Sequence, residues 1–137
     1  ERGTSEGDGT LRYSRRIDGQ REAPKPLPAA INTGKWNAHP YIAPDESYLM
    51  WNGERESGYG SSDLYISFRQ KDGSWGEAIN LGDKVNTEAE EGGPQVTPDG
   101  KFILFNRMVP LADGDGSSQS DLYWISAQII EDLRPKP

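Results

Sequence analysis

The stretch Pro40-Tyr41-Ile42-Ala43-Pro44-Asp45-Glu46-Ser47-Tyr48-Leu49-Met50-Trp51-Asn52 has a second version in the same chain, 54 residues later. There it reads Pro94-Gln95-Val96-Thr97-Pro98-Asp99-Gly100-Lys101-Phe102-Ile103-Leu104-Phe105-Asn106. Working outward, the same shift places Asp18-Gly19 on Asp72-Gly73, Leu27 on Leu81 and Ile31-Asn32-Thr33 on Val85-Asn86-Thr87. No gap is needed between Asp18 and Asn52. Beyond a four-residue insertion, Asp63-Leu64-Tyr65 meets Asp121-Leu122-Tyr123. Self-similarity at a fixed period marks a solenoid, a propeller or an array.

Within each copy the residues read as short strands. Pro40–Ala43 and the apolar run Tyr48–Trp51 flank a Pro-Asp turn, because Pro presets φ and Asp bonds its own backbone. The second version places Gly100 in the turn, where positive φ costs nothing. These are strands a and b of a hairpin. Polar, Gly-rich segments follow at 52–62 and 106–120, expected as loops. Strand c is Asp63–Phe68 or Asp121–Ile125, and Lys71-Asp72-Gly73 turns into strand d around Glu77–Leu81. An Asp-Gly pair between strand-like runs is a strong hairpin signal. Four antiparallel strands per repeat describe a propeller blade, so the expected fold is all-β.

Composition agrees. Only 33% of residues are hydrophobic, and 16 Gly and 10 Pro leave no long stretch for a helical bundle. A net charge of −7 disfavours a phosphate backbone as partner. Without cysteine there is no disulfide, no thiolate chemistry and no Cys-built zinc site. No run approaches the roughly 18 apolar residues of a membrane span. The chain opens at Glu1 without Met, as it would had an upstream segment been removed.

The phase of the repeat is unusual. Residues 10–33 supply strands c and d of a partial blade, 38–82 a complete blade, and 92–127 strands a to c of the next. The tail 128–137 has no counterpart, and Ile129, Ile130 and Leu133 suit either a short helix or an irregular packed end. About two and a quarter blades cannot close a ring, which needs at least about four. Further blades are expected from other copies or from a missing N-terminal segment. Trp51 and Trp124 lie in strands and are expected to pack between blades.

The elements N-A-H-P-Y-I-A-P-D-E-S-Y-L-M-W, G-Y-G-S-S-D-L-Y-I-S and G-G-P-Q-V-T-P-D-G-K-F-I-L-F resemble the WD-like, Pro-Asp-type repeats of TolB-like β-propeller proteins. The closing D-L-Y-W-I-S-A-Q-I-I-E-D-L-R-P resembles the C-terminal end of such proteins. The resemblance implies a six-bladed ring of which this chain is the last third, and a periplasmic or secreted location. It does not imply one chemistry: such propellers occur as interaction proteins, beside peptidase or peptidoglycan-binding domains, and in polysaccharide lyases.

Parity of the meander puts the d–a loops (32–39, 86–93) and the b–c loops on one side. The other side carries only tight turns. Ligands favour long loops on a rigid scaffold, so any site is expected on the d–a/b–c face. Trp36 and Tyr59 are loop aromatics suited to sugar stacking or a protein hot spot. Asn37 and His39, the only histidine, stand beside strand a, and Glu91 belongs to an acidic cluster with Glu88 and Glu90. His39 as base or ligand needs partners that the second copy, with Gly93, does not repeat. Asp113-Gly114-Asp115-Gly116 lacks the spacing of a calcium loop. The Gly-x-Gly pairs lack the third glycine of a phosphate loop, and no Gly-x-Ser-x-Gly elbow occurs. No catalytic residue, metal ligand or cofactor site is assigned. The expected function is non-catalytic binding of protein or glycan through Trp36, Asn37, His39, Tyr59 and Glu91. The alternative is a fragment of a propeller enzyme, a lyase or a peptidase-associated propeller.

Overall fold

The computed structural model describes residues 9–112 and 114–136. The N-terminal part contains four two-residue strands. They are β1 (Arg12–Tyr13), β2 (Arg16–Ile17), β3 (Gln20–Arg21) and β4 (Lys25–Pro26). β1 pairs with β4, and β2 with β3, all antiparallel. The β2–β3 turn is Asp18-Gly19 with φ of 48° and 79°, the double positive φ of a tight hairpin turn.

The complete repeat forms one four-stranded antiparallel sheet: β5 (Lys35–Ile42), β6 (Tyr48–Glu54), β7 (Asp63–Phe68) and β8 (Ile79–Asn80), in chain order. Asp45 closes its a–b turn by accepting hydrogen bonds from Ser47 N and Oγ, and Asp72 closes the c–d turn on Ser74 in the same way. The second repeat forms a three-stranded sheet of β9 (Glu90–Val96), β10 (Phe102–Pro110) and β11 (Ser118–Ser126). Here the expected loop at 106–120 is mostly strand. β10 and β11 pair without interruption from Phe102↔Ser126 to Pro110↔Ser118, which leaves 111–117 as the connection. Met108 and Val109 continue a strand-forming run that the Gly/Ser composition had obscured.

Side-chain alternation divides the core in two. Leu49 and Trp51 of β6 face Leu11, Ile31 and Tyr65, so the N-terminal segment packs on one side of the complete sheet. Met50 faces the other way, into a cluster with Leu64, Ile66, Ile103 and Phe105 between the two sheets. Both faces of the first sheet are buried, which is why Tyr48–Trp51 reads as a continuous apolar run. The tail is helical, α1 (Gln128–Leu133), and sinks Ile130 into the inter-sheet cluster. Trp51 and Phe105 are equivalent buried residues, each stacked on the tyrosine of its own strand c, Tyr65 or Tyr123. Trp124 differs from expectation. It is 67% exposed and stands edge-on to Phe102, because among the described residues no further sheet covers that face of the second repeat.

One hydrogen-bond device recurs. Asn86 accepts from Leu64 N at 2.8 Å and donates to Leu64 O at 3.0 Å. Asn32 makes the same bracket on Leu11, at 2.7 and 3.0 Å. The segment after strand d thus locks the start of strand c in both places.

Candidate functional site

The d–a/b–c face is held together by backbone contacts. Ser62 bridges to Glu90, which lays the first b–c loop against the d–a loop before β9. Gly60 is obligatory there, since a Cβ would lie 2.2 Å from Ala89 O and 2.5 Å from Thr87 O. Buried Asp63 accepts from Tyr59 N at 2.6 Å, Gly60 N at 3.1 Å and Asn80 Nδ2 at 2.9 Å. The loop backbone is therefore fixed, while the Tyr59 side chain stands half exposed.

β5 is bent by irregularities between Lys35 and Ala38 and between Ala38 and Tyr41. The bends place two non-glycine residues in the left-handed region, Trp36 at φ 54° and His39 at φ 47°. Trp36 turns outward and is 62% exposed. Asn37 turns inward, donates to Gly9 O at 3.2 Å and accepts from Trp51 Nε1 at 3.1 Å. Its side chain is thereby taken up in holding Gly9 to the sheet.

His39 is exposed, with Nδ1 2.8 Å from Asn52 Oδ1. Gly93 N–H also points at that oxygen, at 3.4 Å, and Asn52 Nδ2 donates to Ser62 Oγ at 3.0 Å. A backbone N–H only donates, so the atom it meets is the amide oxygen. Nδ1 is then the donor to that oxygen. The equivalent residue in the second copy, Gly93, also has positive φ, at 63°. The repeat therefore uses a left-handed residue at this place, and the first copy fills it with an imidazole.

Glu91 is fully buried and fully engaged. It accepts from Thr87 N and Oγ1 at 3.0 and 2.6 Å and from Arg107 Nε at 2.8 Å. Its neighbours Glu88 and Glu90 face solvent. Of the five residues singled out in the sequence, Trp36, His39 and Tyr59 present side chains outward, and Asn37 and Glu91 hold the scaffold. The structure adds Asn52, Ser62 and Asp63, which position His39 and Tyr59. Asn52 carried a signal, its identity with Asn106.

Asp115 accepts from Ser117 N, and Asp113 lies outside the described residues. Among the described residues no three His, Cys, Asp or Glu side chains gather as metal ligands do, and no helix is long and apolar enough to cross a membrane. An open depression at the opposite, turn side is lined by Phe68, Trp75, Ile79 and Pro135. Comparison with protein-family models, curated proteins and solved structures finds no match to this chain.

Proposed function

We propose that the two repeats are blades of a β-propeller resembling the TolB-like type. In this reading the blades bind a protein or glycan ligand through the d–a/b–c face, without catalysis. Other copies, or another part of a longer polypeptide, complete a six-bladed ring. The resemblance further supports a periplasmic or secreted setting.

The observation that carries the reading is the pair Trp36 and His39. Each holds a left-handed backbone conformation, which costs L-residues roughly 1–2 kcal/mol. Such conformations persist where the surroundings enforce them, and they concentrate at ligand clamps. Here they present an indole and an imidazole oriented by Asn52 outward from a strand, next to a loop pinned by Asp63. Exposed aromatics on rigid supports suit both pyranose stacking and a protein hot spot.

A glycan array and a surface-display peptide library, each probed with the labelled chain, test the reading and separate its two ligand classes. Binding that Trp36→Ala and Tyr59→Ala abolish, and that Asp45→Ala and Asp72→Ala leave intact, supports it. Binding lost through the Asp45 and Asp72 turns but retained in the aromatic variants overturns the choice of face.

A further inference from the structure

We propose that the β2–β3 hairpin docks the chain on a lipid surface bearing anionic headgroups. Ile17 enters the headgroup boundary, and the arginines around it meet headgroup phosphates. The turn Asp18-Gly19 aligns with the c–d turn Asp72-Gly73, on the side opposite the d–a/b–c face. This surface therefore does not rest on ligand binding at the loop face.

The charge of the chain is unevenly spread. Residues 10–35 carry six Lys or Arg against two Asp or Glu, a net of +4, whereas 36–137 carry eight against seventeen, a net of −9. Screening acts over about 8–10 Å at ordinary salt, so a local excess of this kind attracts anions although the whole chain is acidic. Five of the six basic residues, Arg12, Arg15, Arg16, Arg21 and Lys25, stand on the hairpin and are exposed. Arg16 and Arg21 pair directly across the β2–β3 ladder. Like charges opposite one another destabilise a ladder. Neither makes an ion pair among the described residues. Arg16 Nε donates to Gly19 O of its own turn at 3.3 Å, and the nearby acid Glu22 is taken by Lys25 at 3.9 Å.

The complete repeat shows that the fold does not require this composition. The 54-residue shift puts Gln70 at the place of Arg16, Lys71 at that of Ile17 and Trp75 at that of Arg21. It also shows that the tip stands clear of the sheet. β6 last pairs with β7 at Tyr48↔Phe68, and Arg69 N then donates to Ser47 O. Residues 70–74 beyond that point are all exposed, in a sheet that has its four strands. A strand laid beside β1 as β6 lies beside β7 would end at Arg15, short of Arg16. Exposure of the tip is thus a property of the turn.

Ile17 decides the kind of anion. It is 51% exposed, next to the turn, where the complete repeat has a lysine. Tyr13, exposed lower on the hairpin, adds a ring with a polar end. A polyanion in water, such as a nucleic acid or a sulfated glycan, gains little from an isoleucine. A lipid surface gains from it, because membrane affinity combines buried apolar area with the attraction of Lys and Arg for anionic headgroups. Four of the five hairpin cations are arginine, whose planar fork donates two hydrogen bonds to one phosphate.

The test is co-sedimentation of the whole chain with phosphatidylcholine vesicles containing about 30% phosphatidylglycerol, against vesicles of phosphatidylcholine alone. The expected result is binding to the anionic vesicles only, weakening as salt is raised. Arg16→Gln with Arg21→Gln should weaken it about tenfold or more, and Ile17→Ser about fivefold. Trp36→Ala, on the loop face, should leave it unchanged. Four results overturn the proposal. They are no preference for anionic vesicles, full binding by the Ile17→Ser variant, loss of binding in Trp36→Ala, and an oligonucleotide or heparin bound as tightly as the vesicles.

Discussion

Arg107 Nε donates to Glu91 at 2.8 Å, directly across the β9–β10 ladder. The same guanidinium stands 4.3 Å from the ring centroid of Tyr123, and its Nη2 donates to Val85 O. Arg55 is the first repeat's counterpart: it lies 4.6 Å from the Tyr65 centroid and donates to Ile31 O, the residue aligned with Val85. One element is missing there. The residue aligned with Glu91 is Asn37, which is committed to Trp51, and Arg55 Nε is buried without a hydrogen-bond partner. Two repeats thus share an Arg–Tyr–carbonyl unit, and only the second completes it with a carboxylate.

Removing that carboxylate leaves Arg107 and the Thr87 N–H without their partner inside the fold. Glu91→Ala should therefore cost about 3 kcal/mol, the scale of breaking a buried pair from one side. Glu91→Gln keeps an acceptor oxygen and should cost less. Urea unfolding of the two variants checks the order. Equal, small losses would mean that the pair contributes little.

Phe105 and Trp124 make a contrasting pair on neighbouring strands of one sheet. Phe105 is 3% exposed in the inter-sheet cluster, so Phe105→Ala should cost roughly 3–5 kcal/mol. Trp124→Ala, at an exposed position, should stay within about 0.5 kcal/mol. Thermal and urea melts distinguish the two. A loss below about 1 kcal/mol for Phe105→Ala would reject its core role.

The strands, their order and the equivalence of Trp51 with Phe105 were legible because period and turn chemistry act locally. Pro44-Asp45 and Asp72-Gly73 announce their turns whatever surrounds them. Burial is not local. Nothing in the sequence separates Trp51, covered by Leu11 and Ile31, from Trp124, which faces no other sheet among the described residues. The candidate site divides along the same line. Exposed Tyr59 follows from its loop position. Trp36 was expected in a loop but lies in β5, because the strand begins at Lys35, and the same bend that turns Asn37 inward turns Trp36 outward, a bend that no residue type marks. Glu91 looked like part of a solvated acidic run because its partner, Arg107, is a cross-strand neighbour 16 residues away.

The turn aspartates set an acid limit. Asp45, Asp72 and Asp115 are held below the ordinary value of 3.8 chiefly by hydrogen bonds from Ser47, Ser74 and Ser117. Thr97 and the Lys101 N–H do the same for Asp99. Folded pKa values below the unfolded ones mean stability that is present above the ordinary carboxylate range and lost as pH falls through the folded values. The urea midpoint should be flat from about pH 7 to 5 and fall below about pH 4. Asp72→Asn with Asp99→Asn should make that fall shallower. An unchanged acid limb in the double variant would assign it to other groups.

The last prediction follows from the shared left-handed place of His39 and Gly93. The first copy holds an imidazole at φ 47°, where the second has glycine at φ 63°. His39→Gly relieves a strain of roughly 1–2 kcal/mol and loses one hydrogen bond to Asn52, worth about 1 kcal/mol. Greater freedom of the unfolded chain offsets part of the relief, by roughly 0.5–1 kcal/mol. Stability should therefore change by less than about 1 kcal/mol. Gly93→Ala is the mirror experiment. A Cβ at Gly93 meets only Asn106 Nδ2, at 3.4 Å, so the cost is that of the backbone, about 1 kcal/mol. Urea unfolding measures both. If His39→Gly costs more than about 2 kcal/mol, the imidazole is a structural member of the Asn52–Ser62 network. If it costs little while ligand capture on the array disappears, His39 is kept at this strained position for binding.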